Sequence, residues 1–222
     1  MKILIADDHR LVREGLKSLL SQLERQLQLV EAWDADTART AVRDNPDLDI
    51  ALIDLNMPGM TGVSSIASLK ESFPSLPLIV VSAIEDPREI EEVLRIGASG
   101  YIPKTASAEV MVQAIRLVLA GGQYLPSLLL SSTSQLVNAS TAPGSAEQEK
   151  TKQAQQGRSV HLTQRQQEVL SLLADGLSNK LIAKKLGLTV GTVKSHMVQI
   201  FQVLGVRNRT AAVVAAQRFR PR

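Results

Sequence analysis

The chain of 222 residues contains no cysteine. Disulfides and thiolate-ligated zinc are therefore excluded, and the composition fits a reducing compartment. Aromatic residues are scarce: one Trp, two Tyr and three Phe. That is too few for nucleic-acid binding by base stacking to dominate. No run approaches the ~20 apolar residues of a membrane span. The opening MKILIADDHR lacks the ~7–15-residue apolar core of a signal peptide. These absences predict a soluble, cytoplasmic protein with no membrane partner.

What is present falls into two unlike parts. Apolar residues make up 44% of the chain, enough to bury a core. From Arg158 onward there are 11 Lys and Arg against 2 Asp and Glu. Residues 1–157 carry 14 against 20, so the formal net charge of +3 hides a basic segment behind an acidic one. A compact segment that basic is expected to seek a polyanion, most often nucleic acid. The length suits one ordinary domain and a smaller second.

Residues 1–125 alternate short apolar runs with amphipathic stretches. Strands are predicted at Lys2–Ala6, Gln28–Ala32, Ile50–Asp54, Pro77–Ser82 and Gly100–Ile102. The runs ILIA, IALI and LIVV are apolar at consecutive positions, as in strands buried on both faces of a parallel sheet. Five strand–helix alternations predict a doubly wound α/β domain, with its site at the carboxyl ends of the strands. Residues 126–157 turn to Ser, Thr, Gln, Ala and Gly and read as a flexible linker. Within it Leu128–Leu130 is a short apolar piece able to pack. A second domain is predicted over residues 158–222, helical from Leu162. Thr163 with Gln166 forms a capping box. Ser178 and Thr189 cap further helices, and Asn208 or Thr210 opens a fourth. Four short helices, two joined by a Gly-containing turn, predict a helix-turn-helix.

Five side chains fall at strand ends: Asp7 and Asp8 after the first, Asp54 at the third, Ser82 at the fourth and Lys104 after the fifth. In a parallel sheet all converge on one edge. Three neighbouring carboxylates are costly to bury without a cation. Hard oxygen ligands favour Mg²⁺, which keeps waters available for a phosphate. A lysine and a hydroxyl nearby suit phosphoryl oxygens. The chemistry implied is phosphoryl transfer onto a carboxylate, with Asp54 the central acceptor.

The arrangement of ADD, DLNMPGM, VVSA and GYIPK at successive strand ends resembles the receiver domain of two-component response regulators, across residues 1–120. The resemblance implies a flavodoxin-like five-stranded parallel sheet and a phosphoacceptor at Asp54. It implies Mg²⁺ held by Asp8, Asp54 and the backbone carbonyl of Asn56, with Asp7 acting through water. Ser82 and Lys104 would contact the phosphoryl group. Tyr101 would be the aromatic that follows Ser82 inward, or else an ordinary half-buried strand residue.

The segment from LTQRQQEVL to LGVRNRTAA closely resembles the LuxR/NarL-type DNA-binding domain, over residues 160–217. The helix Val190–Val203 would then enter the major groove. By that pattern Lys194, Ser195 and Val198 are base-facing, and Asn179, Lys180, Thr192, His196 and Arg209 serve backbone or core roles. Lys194 has the chemistry to donate to guanine. Three positions depart from the pattern: Val198 where a polar or basic residue is common, Val203 for Lys, and Gln166 for Glu. His196, beside Met197 and Ile200, reads as a hydrogen-bonded structural histidine rather than a base reader. The AAVVAAQ stretch serves either packing or a dimer contact.

Together these readings imply a transcriptional response regulator rather than an enzyme. Its expected partners are a sensor histidine kinase, double-stranded DNA, RNA polymerase and a second copy of itself. Two other readings stand beside it. One is a DNA-binding regulator that needs no phosphorylation. The other is an aspartyl-nucleophile hydrolase, for which Asn56 is the wrong residue, since an amide does no acid–base work.

Overall fold

The computed structural model describes residues 1–21, 23, 26–129 and 162–219. Five strands, β1 (Lys2–Ala6), β2 (Gln28–Ala32), β3 (Ile50–Ile53), β4 (Leu78–Ser82) and β5 (Gly100–Pro103), form one sheet in the order β2-β1-β3-β4-β5. Every pairing is parallel. The order reverses between β1 and β3, so the crevice of this doubly wound sheet opens at their carboxyl ends.

The consecutive apolar runs are explained by cover on both faces. Leu4, Ala6, Ala51, Ile53, Leu78 and Val80 face one layer, which includes Ile66 of α3 (Val63–Ser72) and Ile90 of α4 (Pro87–Arg95). The same layer holds Ala38 and Val42 of α2 (Ala35–Asp44). The alternate residues Ile3, Ile5, Ile50, Leu52, Ile79 and Val81 face Leu16 and Leu20 of α1 (Arg10–Leu20) and Ile115 and Val118 of α5 (Ala108–Leu119). Successive strand side chains point to opposite faces, so an all-apolar strand satisfies two helical layers at once.

The strand ends agree with the sequence reading to within a residue. Of the stretch read as linker, residues 126–129 are described, and Leu128 and Leu129 pack against the first layer. Leu130 and the remainder to residue 157 lie outside the described residues.

The second domain comprises α6 (Gln164–Ala174), α7 (Asn179–Leu186), α8 (Val190–Leu204) and α9 (Arg209–Phe219). Thr163, Ser178 and Thr189 cap the first three as expected. Asn208 caps the fourth, its Oδ1 accepting the Ala211 amide at 2.8 Å. Gly187 ends α7 at φ 66° and Gly205 ends α8 at φ 65°. Both sit in the left-handed region that glycine enters without a Cβ clash. Val169, Leu173, Ile182, Val193, Met197, Ile200, Phe201 and Ala212 form the core.

Gln166 makes its departure from Glu intelligible. Its Oε1 accepts the Thr163 amide at 2.8 Å and its Nε2 donates to Gln199 Oε1 at 2.9 Å, joining α6 to α8. A carboxylate would keep the first bond but could only accept the second, from a Gln199 amide turned the other way. AAVVAAQ is divided: Ala212 is buried and Val214 faces outward at 48% exposure.

Thr163→Ala removes one cap and is expected to cost about 1 kcal/mol. Ile79→Ala, in a fully buried strand position, is expected to cost about 2–5 kcal/mol. Urea unfolding followed by circular dichroism reads both, the first in the transition of the helical domain and the second in that of the sheet domain.

Candidate functional site

The carboxyl ends of β1 and β3 lie side by side. The Asp54 amide donates to the Ala6 carbonyl at 2.8 Å, and the Asp7 amide to that of Ala32 at 3.1 Å. Both residues step off strands covered on two faces, so both side chains are buried. Asp8, one residue further along the loop, is exposed. Lys104 arrives from the far side of β4, its amide donating to the Ser82 carbonyl at 2.8 Å.

The Lys104 ammonium joins the two buried acids. Its Nζ donates to Asp54 Oδ2 at 2.8 Å and lies 2.7 Å from Asp7 Oδ2, an ion pair without hydrogen-bond alignment. Burial alone would lower the lysine's pKa; Asp54 and Asp7 hold it above the ordinary value. The other carboxylate oxygens are set by the backbone. Asp54 Oδ1 accepts the Asn56 amide at 3.2 Å, and Asp7 Oδ1 accepts that of His9 at 2.8 Å.

One ammonium does not neutralise three carboxylates. Ligand atoms of Asp7, Asp8, His9 and Asp54 all lie within 4.8 Å of one another. The three carboxylates and Lys104 together carry two net negative charges, a balance that a divalent cation with a preference for oxygen completes. The acidic donor set therefore fits Mg²⁺. His9 was absent from the expected set. Its Nδ1 lies 2.8 Å from Asp8 Oδ1 and 3.3 Å from Asp7 Oδ1. Adjacency to Asp8 is the only signal the sequence carries for it.

Behind the acids a hydrogen-bonded relay crosses the β4–α4 loop. Ser82 is fully buried, and its Oγ accepts the Ile84 amide at 3.2 Å. The Ile84 carbonyl in turn accepts the Tyr101 hydroxyl at 2.6 Å. Tyr101 is 0% exposed, so the half-buried alternative is not what the fold adopts. Burial pushes its phenol up to about 12. Ser82 and Tyr101 are thus joined through the backbone of one residue, Ile84.

In the basic domain α8 buries Val193, Met197, Ile200 and Phe201. Lys194, Ser195 and Val198 fall outside that stripe. Thr192 is spent locally: its amide donates to Thr189 Oγ1 at 3.1 Å and the two hydroxyls lie 2.8 Å apart. Arg209 is partly buried and structural, donating to the Leu177 carbonyl at 2.6 Å and to Asn179 Oδ1 at 3.4 Å. Lys180 is exposed. His196 is half-buried, but its buried Nδ1 has no hydrogen-bond partner among the described residues, which departs from the hydrogen-bonded histidine expected.

No sequence signal anticipates what α8 meets. Lys194 Nζ donates to the carbonyls of Pro46, at 2.7 Å, and Leu48, in the α2–β3 connection of the first domain. Burial lowers its pKa, with Asp49 and Asp47 opposing. Ser195 and Val198 line the same narrow groove, opposite Asn45 and Phe73. All three candidate base-facing residues are thus turned onto the first domain.

Comparison with known proteins agrees with both halves. Residues 3–116 match the response regulator receiver domain, and residues 160–216 match the bacterial regulatory proteins of the luxR family. The chain is 38% identical to the transcriptional regulatory protein LnrK of Bacillus subtilis, covering 99% of this chain and 97% of that one. It is 34% identical to the glycerol metabolism activator of Pseudomonas putida, over 97% and 94%. Among solved structures it is similar to the RcsB response regulator of Salmonella typhimurium, at 26% identity and a TM-score of 0.55, covering 98% of both chains. A structure of RcsB bound to a promoter with a phosphomimetic present is similar at a TM-score of 0.53, with 26% identity over 97% of both chains. This chain belongs to the response regulators that carry a receiver domain and a LuxR-type DNA-binding domain and regulate transcription.

Proposed function

We propose that Asp54 is the phosphoacceptor, that a sensor histidine kinase supplies the phosphoryl group, and that the resting protein hides its DNA-reading helix against its own receiver domain. The observation that carries this reading is the placement of Lys104 between Asp54 and Asp7, both buried at the sheet's reversal point.

An Asp54 oxygen attacks the phosphorus of a phosphohistidine. The new O–P bond forms as the N–P bond breaks, and the departing imidazole takes up a proton. Asp8, Asp54 and the Asn56 carbonyl would hold Mg²⁺, with Asp7 acting through water; the ion supplies charge neutralisation as the phosphoryl approaches. Lys104, already within reach of Asp54, exchanges a carboxylate partner for a phosphoryl oxygen. The Ser82 hydroxyl turns to a second one. That motion pulls on Ile84 and hence on Tyr101, which gives the β4–α4 surface two states. Asn56, two residues after Asp54, has no acid–base capacity, so the acyl phosphate is a signal rather than a step in turnover.

At the other end Lys194, Ser195 and Val198 read bases, with Lys194 donating to guanine and Val198 offering contact to a thymine methyl. Exposed Lys180 would meet the DNA backbone, while Asn179, Thr192 and His196 would serve backbone or core roles, with Arg209 holding α9 in place behind them. A homodimer on half-sites about one helical turn apart matches this domain type, and RcsB dimers are bound to DNA in a solved relative. The outward Val214 face of α9 suits that contact. The protein acts in the cytoplasm and works with RNA polymerase at promoters.

Three outcomes are expected. A small acyl phosphate donor with Mg²⁺ labels the wild type once per chain and leaves Asp54→Asn unlabelled, by mass spectrometry of the intact protein; continuous turnover of a phosphate ester would instead favour the hydrolase reading. Mg²⁺ at about a hundred times its Kd stabilises the wild-type receiver by about 2.7 kcal/mol in thermal melts, and Asp8→Ala removes that gain. Lys194→Ala weakens binding of the phosphorylated protein to its selected duplex by about 1–3 kcal/mol, measured by fluorescence anisotropy; an undiminished affinity would remove Lys194 from the interface.

A further inference from the structure

A second cleft between the domains has no part in phosphorylation. Its volume is about 290 Å³, at the small end for a ligand pocket. From the receiver side Lys70 of α3 lines it; from the DNA-binding side come Lys180, Lys194 and Arg209. Among the described residues one acidic side chain, Asp49, lines it, and Asp49 Oδ2 is already engaged by the Lys2 amide at 2.8 Å. Four cations therefore surround one carboxylate.

Lys70 is the unusual member. It is only 6% exposed, and its Nζ donates to the carbonyls of Pro74 and Leu76, each at 2.9 Å. No carboxylate pairs with it among the described residues. Burial brings its pKa down to about 8, a sign that the charge is poorly compensated. An ammonium has three N–H donors, so one remains after the two carbonyls are served. Arg209 likewise pairs with neutral acceptors among the described residues.

The walls reinforce the charge. Ser178, Asn179 and Lys180 open α7, and Asn208, Arg209 and Thr210 open α9; both helix starts line the cleft. First-turn amides carry the positive end of the helix dipole, although Ser178 and Asn208 each take one of them as a cap. Cations from two domains, one of them buried and unpaired with any acid, thus converge with two helix N-termini on one small space. A polymer does not fit that volume; a compact phosphate does.

We propose that this cleft binds a small phosphate-bearing anion, which bridges the receiver and DNA-binding domains and holds them in the docked arrangement. The proposal rests on the docking of α8 against the receiver. Because Lys180 and Lys194 belong to the proposed DNA surface, anion and DNA compete, and each weakens the other by the same factor.

Pyrophosphate is the probe, used without Mg²⁺ and at fixed ionic strength on the full-length protein. Calorimetry is expected to show one pyrophosphate per wild-type chain. Lys70→Met, close in volume, and Ser99→Asp, which puts a carboxylate on the receiver wall of the cleft, should each weaken it roughly tenfold or more. Neither changes a proposed phosphorylation or DNA-contact residue, so acyl phosphate labelling of Asp54 and DNA affinity without pyrophosphate should match the wild type. Pyrophosphate should lower DNA affinity several-fold in the wild type and much less in both variants. Equal pyrophosphate affinity in all three proteins would reduce the effect to adsorption on a basic surface and overturn the proposal, as would no binding. Failure of Asp54 labelling with the pyrophosphate effect intact would sink the phosphorylation reading and leave the cleft standing.

Discussion

The Lys104 ion pair with Asp54 and Asp7 is the constraint on which the receiver's chemistry depends. Two carboxylates buried at adjacent strand ends are tolerable only while a cation sits between them. The same pair keeps the site poised. Lys104 balances part of the charge, leaving a remainder that a divalent ion can complete. Stability and reactivity here are two readings of one electrostatic imbalance.

That arrangement was legible because parallel sheets make it so. Strands covered on both faces show as unbroken apolar runs, and whatever follows such a run must lie at a common edge. Asp7, Asp8, Asp54, Ser82 and Lys104 could each be placed from a local pattern plus that one rule. The helix caps Thr163, Ser178 and Thr189 were legible for a similar reason: capping is satisfied within three residues. His9 was missed because a histidine beside an aspartate carries no distinctive spacing.

Contacts that depend on distant backbone were not legible. Ile84 joins Ser82 to Tyr101 through its backbone N–H and C=O, which any residue but proline would supply. The anchoring of Lys194 on Pro46 and Leu48 spans nearly 150 positions and ends on carbonyl oxygens, which every residue has. For Arg209 the sequence left backbone and core roles open, and its guanidinium bonds within the helical domain, to the Leu177 carbonyl. Gln166 looked like a neutral variation and is used at both ends of its amide. Side-chain chemistry can be read from a sequence; the backbone acceptor it finds cannot.

The double engagement of Lys194 has an evolutionary consequence. The same side chain that would read a base also fastens the helix to the receiver. A lineage that replaces it to recognise a new promoter therefore alters its own leakiness in the same step, and one that tightens its silence narrows the sequences it can read. Were Lys194 to read a base as proposed, regulon membership and background expression would be inherited together, and a compensating change on the Pro46–Leu48 loop would be one way to separate them.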